Sequence, residues 1–333
     1  MRRPLLLASI LCVGFSAGAC SHEKSQETWQ VVHRDRPGAL LSVWGTSAND
    51  VWVVGGDAGA GQGPEVLHYN ASSWKRFDSG YTGDLWWVFG FEGGPVYMGG
   101  AGGMILRYEG GSFTKMNTPG ADTVFGIWGT SPSDMWAVGG AIGGAQGAFA
   151  WRSTGNDWVS APGFPTEITA LGALWKVFGR SANDVWMVGT NGILVRWDGS
   201  ALSRGDTGLG ESLFTVHASS QRFAAVGGGG TGIILENDGS GWSDVSPNGA
   251  PVLVGVYLSE SAGYAVGRFG AVFSRTNAGW QEEATGVTMN QTLHSVWIDP
   301  GGGVWAAGGQ VLQTPLVEGV LLHKGPSITG AFE

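Results

Sequence analysis

A unit of about 40 residues recurs along this chain, and units of that length bury their apolar faces by stacking one copy against the next. The clearest copy is LLSVWGTSANDVWVVGG, residues 40–56. Its first half alternates, with Leu41, Val43 and Gly45 on one face and Ser42 and Trp44 on the other. TSAND then supplies a polar turn. VWVVGG is apolar on both faces and rich in β-branched and aromatic residues, as a strand covered on both sides requires. The unit reads as a buried hairpin. Aligning the later copies on the aromatic of the first strand gives Trp44, Phe89, Trp128, Phe178, His217, Tyr257 and Trp297, so there are seven.

Each hairpin is followed by a third strand, such as VLHY or ILVRW, and then by a fourth. The fourth strands open at Trp74, Phe113, Trp158, Leu202, Trp242 and Trp280, while the seventh unit has none. One spare strand of the same type, TWQVVHR at residues 28–34 with Trp29 near its start, precedes the first unit. A first strand that completes the last unit closes a ring and removes the open edges that would template aggregation. The expected fold is all-β: a seven-bladed β-propeller of four-stranded blades over residues 28–333, closed by Trp29 and its strand. The rival, an open β-solenoid, has shorter coils and no use for a strand borrowed from the other terminus.

Arg2 and Arg3 precede the apolar run PLLLASILCVGF and then SAGAC, which read as the n-region, h-region and cleavage site of an export signal over residues 1–19. Ala17, Gly18, Ala19 and Cys20 resemble the bacterial lipobox, which implies acylation of Cys20. The same three small residues also satisfy an ordinary small-x-small cleavage site. Cys12 lies inside the h-region, so Cys20 would be the one mature cysteine and have no disulfide partner, which favours lipidation. Residues 20–27 then form a lipidated Cys and short polar tether, and Ser21 resembles the outer-membrane sorting pattern.

With 60 Gly and no Gly-X-Y period, the 333-residue chain is not collagenous; 17 Trp and 43% hydrophobic residues exclude disorder. A net charge of -9 without a basic stripe argues against nucleic acid as a partner.

At VWGTSANDVWVVGG, IWGTSPSDMWAVGG and ILVRWDGS the chain resembles the VWG/SxxDVWAVG repeats of exported myxobacterial β-propeller lipoproteins. More distantly, GIILENDGSGW in the fifth unit is similar to the blades of photosystem II assembly factors related to Ycf48 and of BNR-repeat proteins. The resemblance to the myxobacterial repeats spans all seven units. It implies a propeller; the first group carries no assigned activity, and the Ycf48-like proteins are assembly factors. The BNR order S-x-D-x-G-x-x-W is not reproduced, so a sialidase activity does not follow.

Chemistry is sparse. There is no GxSxG elbow, and the Gly-rich stretches lack the GK[ST] ending of a phosphate loop. The histidines show no metal-ligand spacing. Asp50, Asp134 and Asp184 sit in the hairpin turns, where an Asp commonly hydrogen-bonds its own backbone two residues on. The aromatic column from Trp44 to Trp297 is read as blade-to-blade packing. What departs from the repeat is the column held by Ser42, Gly126, Thr215, Gly255 and Ser295, which contains Trp87 in the second unit and Lys176 in the fourth. With Trp86 and Trp175 beside them, these form a candidate aromatic and cationic ligand patch where the first strands meet the channel. The alternative is that Trp87 and Lys176 fill space left by a neighbouring Gly.

These readings point to an exported, outer-membrane-anchored monomer acting as a non-catalytic binding or assembly scaffold for an envelope protein or glycan, without cofactor or metal. Two alternatives stand beside it: an envelope hydrolase or lyase with an active site on a propeller face, and a sugar-binding lectin. A secreted or periplasmic location is the alternative to the anchor.

Overall fold

The computed structural model describes residues 28–59, 61–141, 147–170 and 172–333. The export signal, Cys20 and the tether lie outside the described residues. Seven sheets are present, each built on four antiparallel strands; in blades 1 to 6 these run in sequence order from the inside outward, and in blade 7 the outermost place is taken by the N-terminal strand. Blade 1 takes Leu40–Ser47, Asp50–Asp57, Pro64–Tyr69 and Ser73–Arg76; blade 4 takes Leu174–Ser181, Asp184–Gly189, Leu194–Trp197 and Leu202–Arg204. The first strand of every blade packs against the first strands of both neighbours, blade 7 against blade 1 included, so the ring is closed around a channel. Hairpin turns between first and second strands lie on one face. The second-to-third connections and the blade-to-blade connections lie on the other.

Closure is made by the N-terminal strand Trp29–Gly38, which pairs antiparallel with Val317–Lys324 of blade 7, Trp29 opposite Lys324 and Gly38 opposite Val317. It runs on to Gly38, past the expected end at residue 34. The Trp29 indole N–H donates to Glu283 at 2.7 Å, and Lys324 reaches the same carboxylate at 2.7 Å, so the closing strand is tied to blade 6 as well. Two features were not expected from the sequence. Ala331–Phe332 adds a parallel fifth strand outside Ser73–Arg76 of blade 1, and the long segment before blade 4 contains a short helix, Thr166–Thr169.

The W-G pair of the repeat has a steric cause. A Cβ on Gly45 would lie 2.8 Å from the Trp297 ring, one on Gly90 2.6 Å from Trp44, and one on Gly179 2.5 Å from Trp128. Each Trp therefore overlies the Gly of the next blade. Where the column holds Phe178, His217 and Tyr257, the following blade carries Ala218, Leu258 and Ile298 instead. Phe178, His217 and Tyr257 stack in sequence with centroids 3.8 Å apart at both steps, so this column is blade-to-blade packing.

A pocket in the channel walled by aromatic residues

Every first strand contains a β-bulge at one position. The pairing register skips Leu41, Trp86, Phe125, Trp175, Phe214, Val254 and His294 in blades 1 to 7. An extra residue in one strand of a ladder re-aims its side chain out of the normal alternation. Six of these residues line a pocket of about 160 Å³ in the channel, near the face that carries the connections. The seventh, Leu41, is sealed under Leu316 and Ala39. The Ala39 N–H donates to the Leu316 carbonyl at 3.1 Å, which seats the blade 7 connection over the blade 1 side of the channel.

The walls are in mutual contact. Phe125 lies between Trp86 and Trp175, with centroids 5.2 and 4.7 Å away, and Trp175 lies 6.2 Å from Phe214. His294 packs 5.8 Å from Trp86 and donates its Nδ1–H to the Leu41 carbonyl at 2.6 Å. Burial, with the nearby Lys176 charge, pushes its pKa down to about 3, so the ring is neutral and Nε2 carries no proton. Arg268 and Leu312 complete the rim from the second-to-third connections of blades 6 and 7.

Of the residues singled out in the sequence, Trp86, Trp175 and Lys176 meet in this pocket. Trp87 does not line it. Its indole N–H donates to the Ile127 carbonyl of blade 3 at 2.8 Å, and its ring packs with the core between blades 2 and 3. The Lys176 Nζ donates to the Phe125 carbonyl at 2.8 Å and lies 4.7 Å from the Trp87 centroid. Trp87 and Lys176 thus meet across blade 3, where Gly126 leaves the room: a Cβ there would lie 3.1 Å from the Lys176 Cα. Burial brings the Lys176 pKa down to about 7.

Phe125, Phe214 and His294 were missed by the sequence reading, although they occupy the position just before the column it examined. Arg268 opens a 3-10 turn that blades 2 and 4 share as Ala101–Gly103 and Thr190–Gly192, but neither of those turns places a charged residue there. The turn aspartates have partners across the blade rather than in their own backbone. Asp50 accepts from His68 at 2.6 Å and Thr46 at 2.5 Å; Asp134 accepts from Arg152 at 2.5 Å and from Thr130; Asp184 accepts from Arg180 at 2.7 Å. Among the described residues, no three His, Cys, Asp or Glu side chains converge as a metal site, and no helix is long and apolar enough to cross a membrane.

No known protein family matches the sequence, and no curated protein matches it. Solved structures do. Ycf48 from Cyanidioschyzon merolae superposes with a TM-score of 0.66 at 13% identity, covering 90% of this chain and 99% of its own. The WD40 repeats of RRP9 give a TM-score of 0.69 at 11% identity, covering 89% of this chain and 97% of theirs. Ycf48 bound to a D1 peptide gives 0.63 at 15% identity, covering 91% and 98%. At these identities the likeness is one of fold: the chain is a β-propeller, distantly similar to Ycf48 and WD40 propellers.

Proposed function

We propose that this protein is a non-catalytic binding or assembly scaffold, held at the cell envelope by an acylated Cys20, that receives a protein partner on the face where the channel pocket opens. The carrying observation is that the two most exposed large apolar side chains among the described residues, Phe269 at 71% and Leu312 at 59%, both belong to connections at that mouth. Phe269 also sits at φ 60°, in the left-handed region where the matching positions of blades 2 and 4 have Gly102 and Asn191. A bulky side chain there costs about 1–3 kcal/mol, and one that is mostly in solvent offsets little of it by packing. Contact with a partner is a use for such a residue. Among the similar propellers, the Ycf48 bound to a D1 peptide supports a peptide or protein as the kind of partner.

The test is crosslinking and pull-down from the native envelope with the wild type and with Phe269→Asn and Leu312→Ser. The expected result is a protein partner recovered with the wild type and lost with both variants, while Phe269→Asn melts at the same or a higher temperature. Equal recovery with both variants, or robust turnover of glycosidase, esterase or peptidase substrates by the purified protein, would overturn the reading.

A further inference from the structure

The channel pocket is unbalanced in charge. Elsewhere Arg36, Arg152, Arg180, Arg222 and Arg275 each pair with a carboxylate. Lys176 and Arg268 have no ion pair among the described residues, and no acidic side chain lines the pocket they share. Lys176 is 4% exposed. Its ammonium has three donors, of which the Phe125 carbonyl takes one. The Trp87 ring face compensates the charge in part. A buried cation without a counter-charge is unfavourable, and the lowered pKa of Lys176 is the same fact seen as proton affinity.

The rest of the pocket wants the opposite of charge. Trp86, Phe125, Trp175 and Phe214 offer aromatic surface, and Val252 and Val254 close one side. A molecule that suits both halves has an apolar body and one anionic end, and a volume of about 160 Å³ admits only a small one. We propose that the channel pocket binds a small amphipathic carboxylic acid, its carboxylate facing Lys176 with Arg268 at the rim, and its aromatic or branched aliphatic body against Trp86, Trp175 and Phe214. This goes beyond the scaffold reading, because a ligand inside the channel and a protein partner on its rim are measured by separate experiments.

Titration calorimetry on the mature protein at pH 8 would compare 3-phenylpropionate with its amide and with 3-phenylpropylamine. The acid is expected to bind at least about tenfold tighter than the amide, as a charge-assisted hydrogen bond allows, and the amine weakest of all. Lys176→Met should abolish that preference without lowering the melting temperature, and Arg268→Gln should weaken the acid by about threefold. Binding of the acid should also take up a proton, read from buffers of different ionisation heat, because a carboxylate restores the charge on Lys176. The other ionisable groups facing Lys176 are His294, which is neutral at this pH, and Arg268, which is permanently charged, so neither supplies the uptake. Equal binding of acid and amide, no binding by any probe, a preference that survives Lys176→Met, or absence of proton uptake would each overturn the proposal.

Discussion

Gly179 has an ordinary backbone conformation and is glycine for steric reasons: a Cβ there would lie 2.5 Å from the Trp128 ring of blade 3 and 2.9 Å from the Asp184 carbonyl of its own hairpin. Gly179→Val should therefore act as overpacking and cost about 1–3 kcal/mol in denaturant unfolding, without the strain of a left-handed residue. A loss below about 0.5 kcal/mol would show that the blades can slide apart to make room. His217 tests the column electrostatically. Its ring is stacked between Phe178 and Tyr257, its Nδ1 accepts the Leu258 N–H at 3.0 Å, and burial pushes its pKa down to about 3. The folded state thus refuses a proton that the unfolded chain takes up near pH 6.5. The stability this represents is present above that pH and is lost as pH falls from about 6.5 towards about 3, at up to about 1.4 kcal/mol per pH unit. His217→Phe should flatten the dependence of unfolding free energy on pH in that window. An unchanged slope would mean that His294 and His33, whose pKa values are also lowered, to about 3 and about 4, carry the effect instead.

At the level of strands, the order of the ring was legible because it is a matter of counting: six fourth strands, seven hairpins and one spare strand opening at Trp29. The channel lining was only half legible. Strict alternation puts Leu41 on the same face as Val43 and Gly45, but the bulge at Leu41 breaks that phase, and a bulge leaves no mark in the residue types. Hence Trp86 and Trp175 came to notice only as neighbours of Trp87 and Lys176, whereas Phe125, Phe214 and His294 stand beside small residues that keep the column regular. Trp87 and Lys176 stood out as exceptions to a small-residue column, yet their pairing over Gly126 could not be seen before blades 2, 3 and 4 were set side by side. The strands also differ in what their loss should do. Deleting residues 28–38 exposes the edge of Val317–Lys324 and opens the ring, so the product should aggregate or remain unfolded by circular dichroism. Deleting residues 327–333 removes a two-residue pairing outside a complete blade and should shift the melting temperature by only a few degrees. A stable, monomeric protein lacking residues 28–38 would refute closure as the source of stability.

For the molecule as a whole, strand direction sets the face from which the residues before Trp29 depart. Trp29 starts the closing strand beside Lys324, on the face of the hairpin turns, and Gly38 ends it beside Val317, on the face of the pocket mouth. Residues 21–27 can span at most about 25 Å, so the proposed acyl group on Cys20 would hold the hairpin-turn face towards the bilayer and turn the pocket mouth outward. Two results are expected. Cys20→Ser should move the protein from the membrane to a soluble fraction, and a cysteine placed at Leu312 in membrane-bound protein should react with an impermeant maleimide faster than one placed at Asp198. Wild-type protein found already soluble would remove the anchor from the picture. The closing strand also bears on synthesis, which runs from Trp29 towards Lys324. The closing strand is made before blade 1 and stays unpaired until Val317–Lys324 has been made. A chain cut short anywhere before Lys324 leaves that strand without its full mate, so truncated forms are expected to be cleaved faster than the closed ring in limited proteolysis.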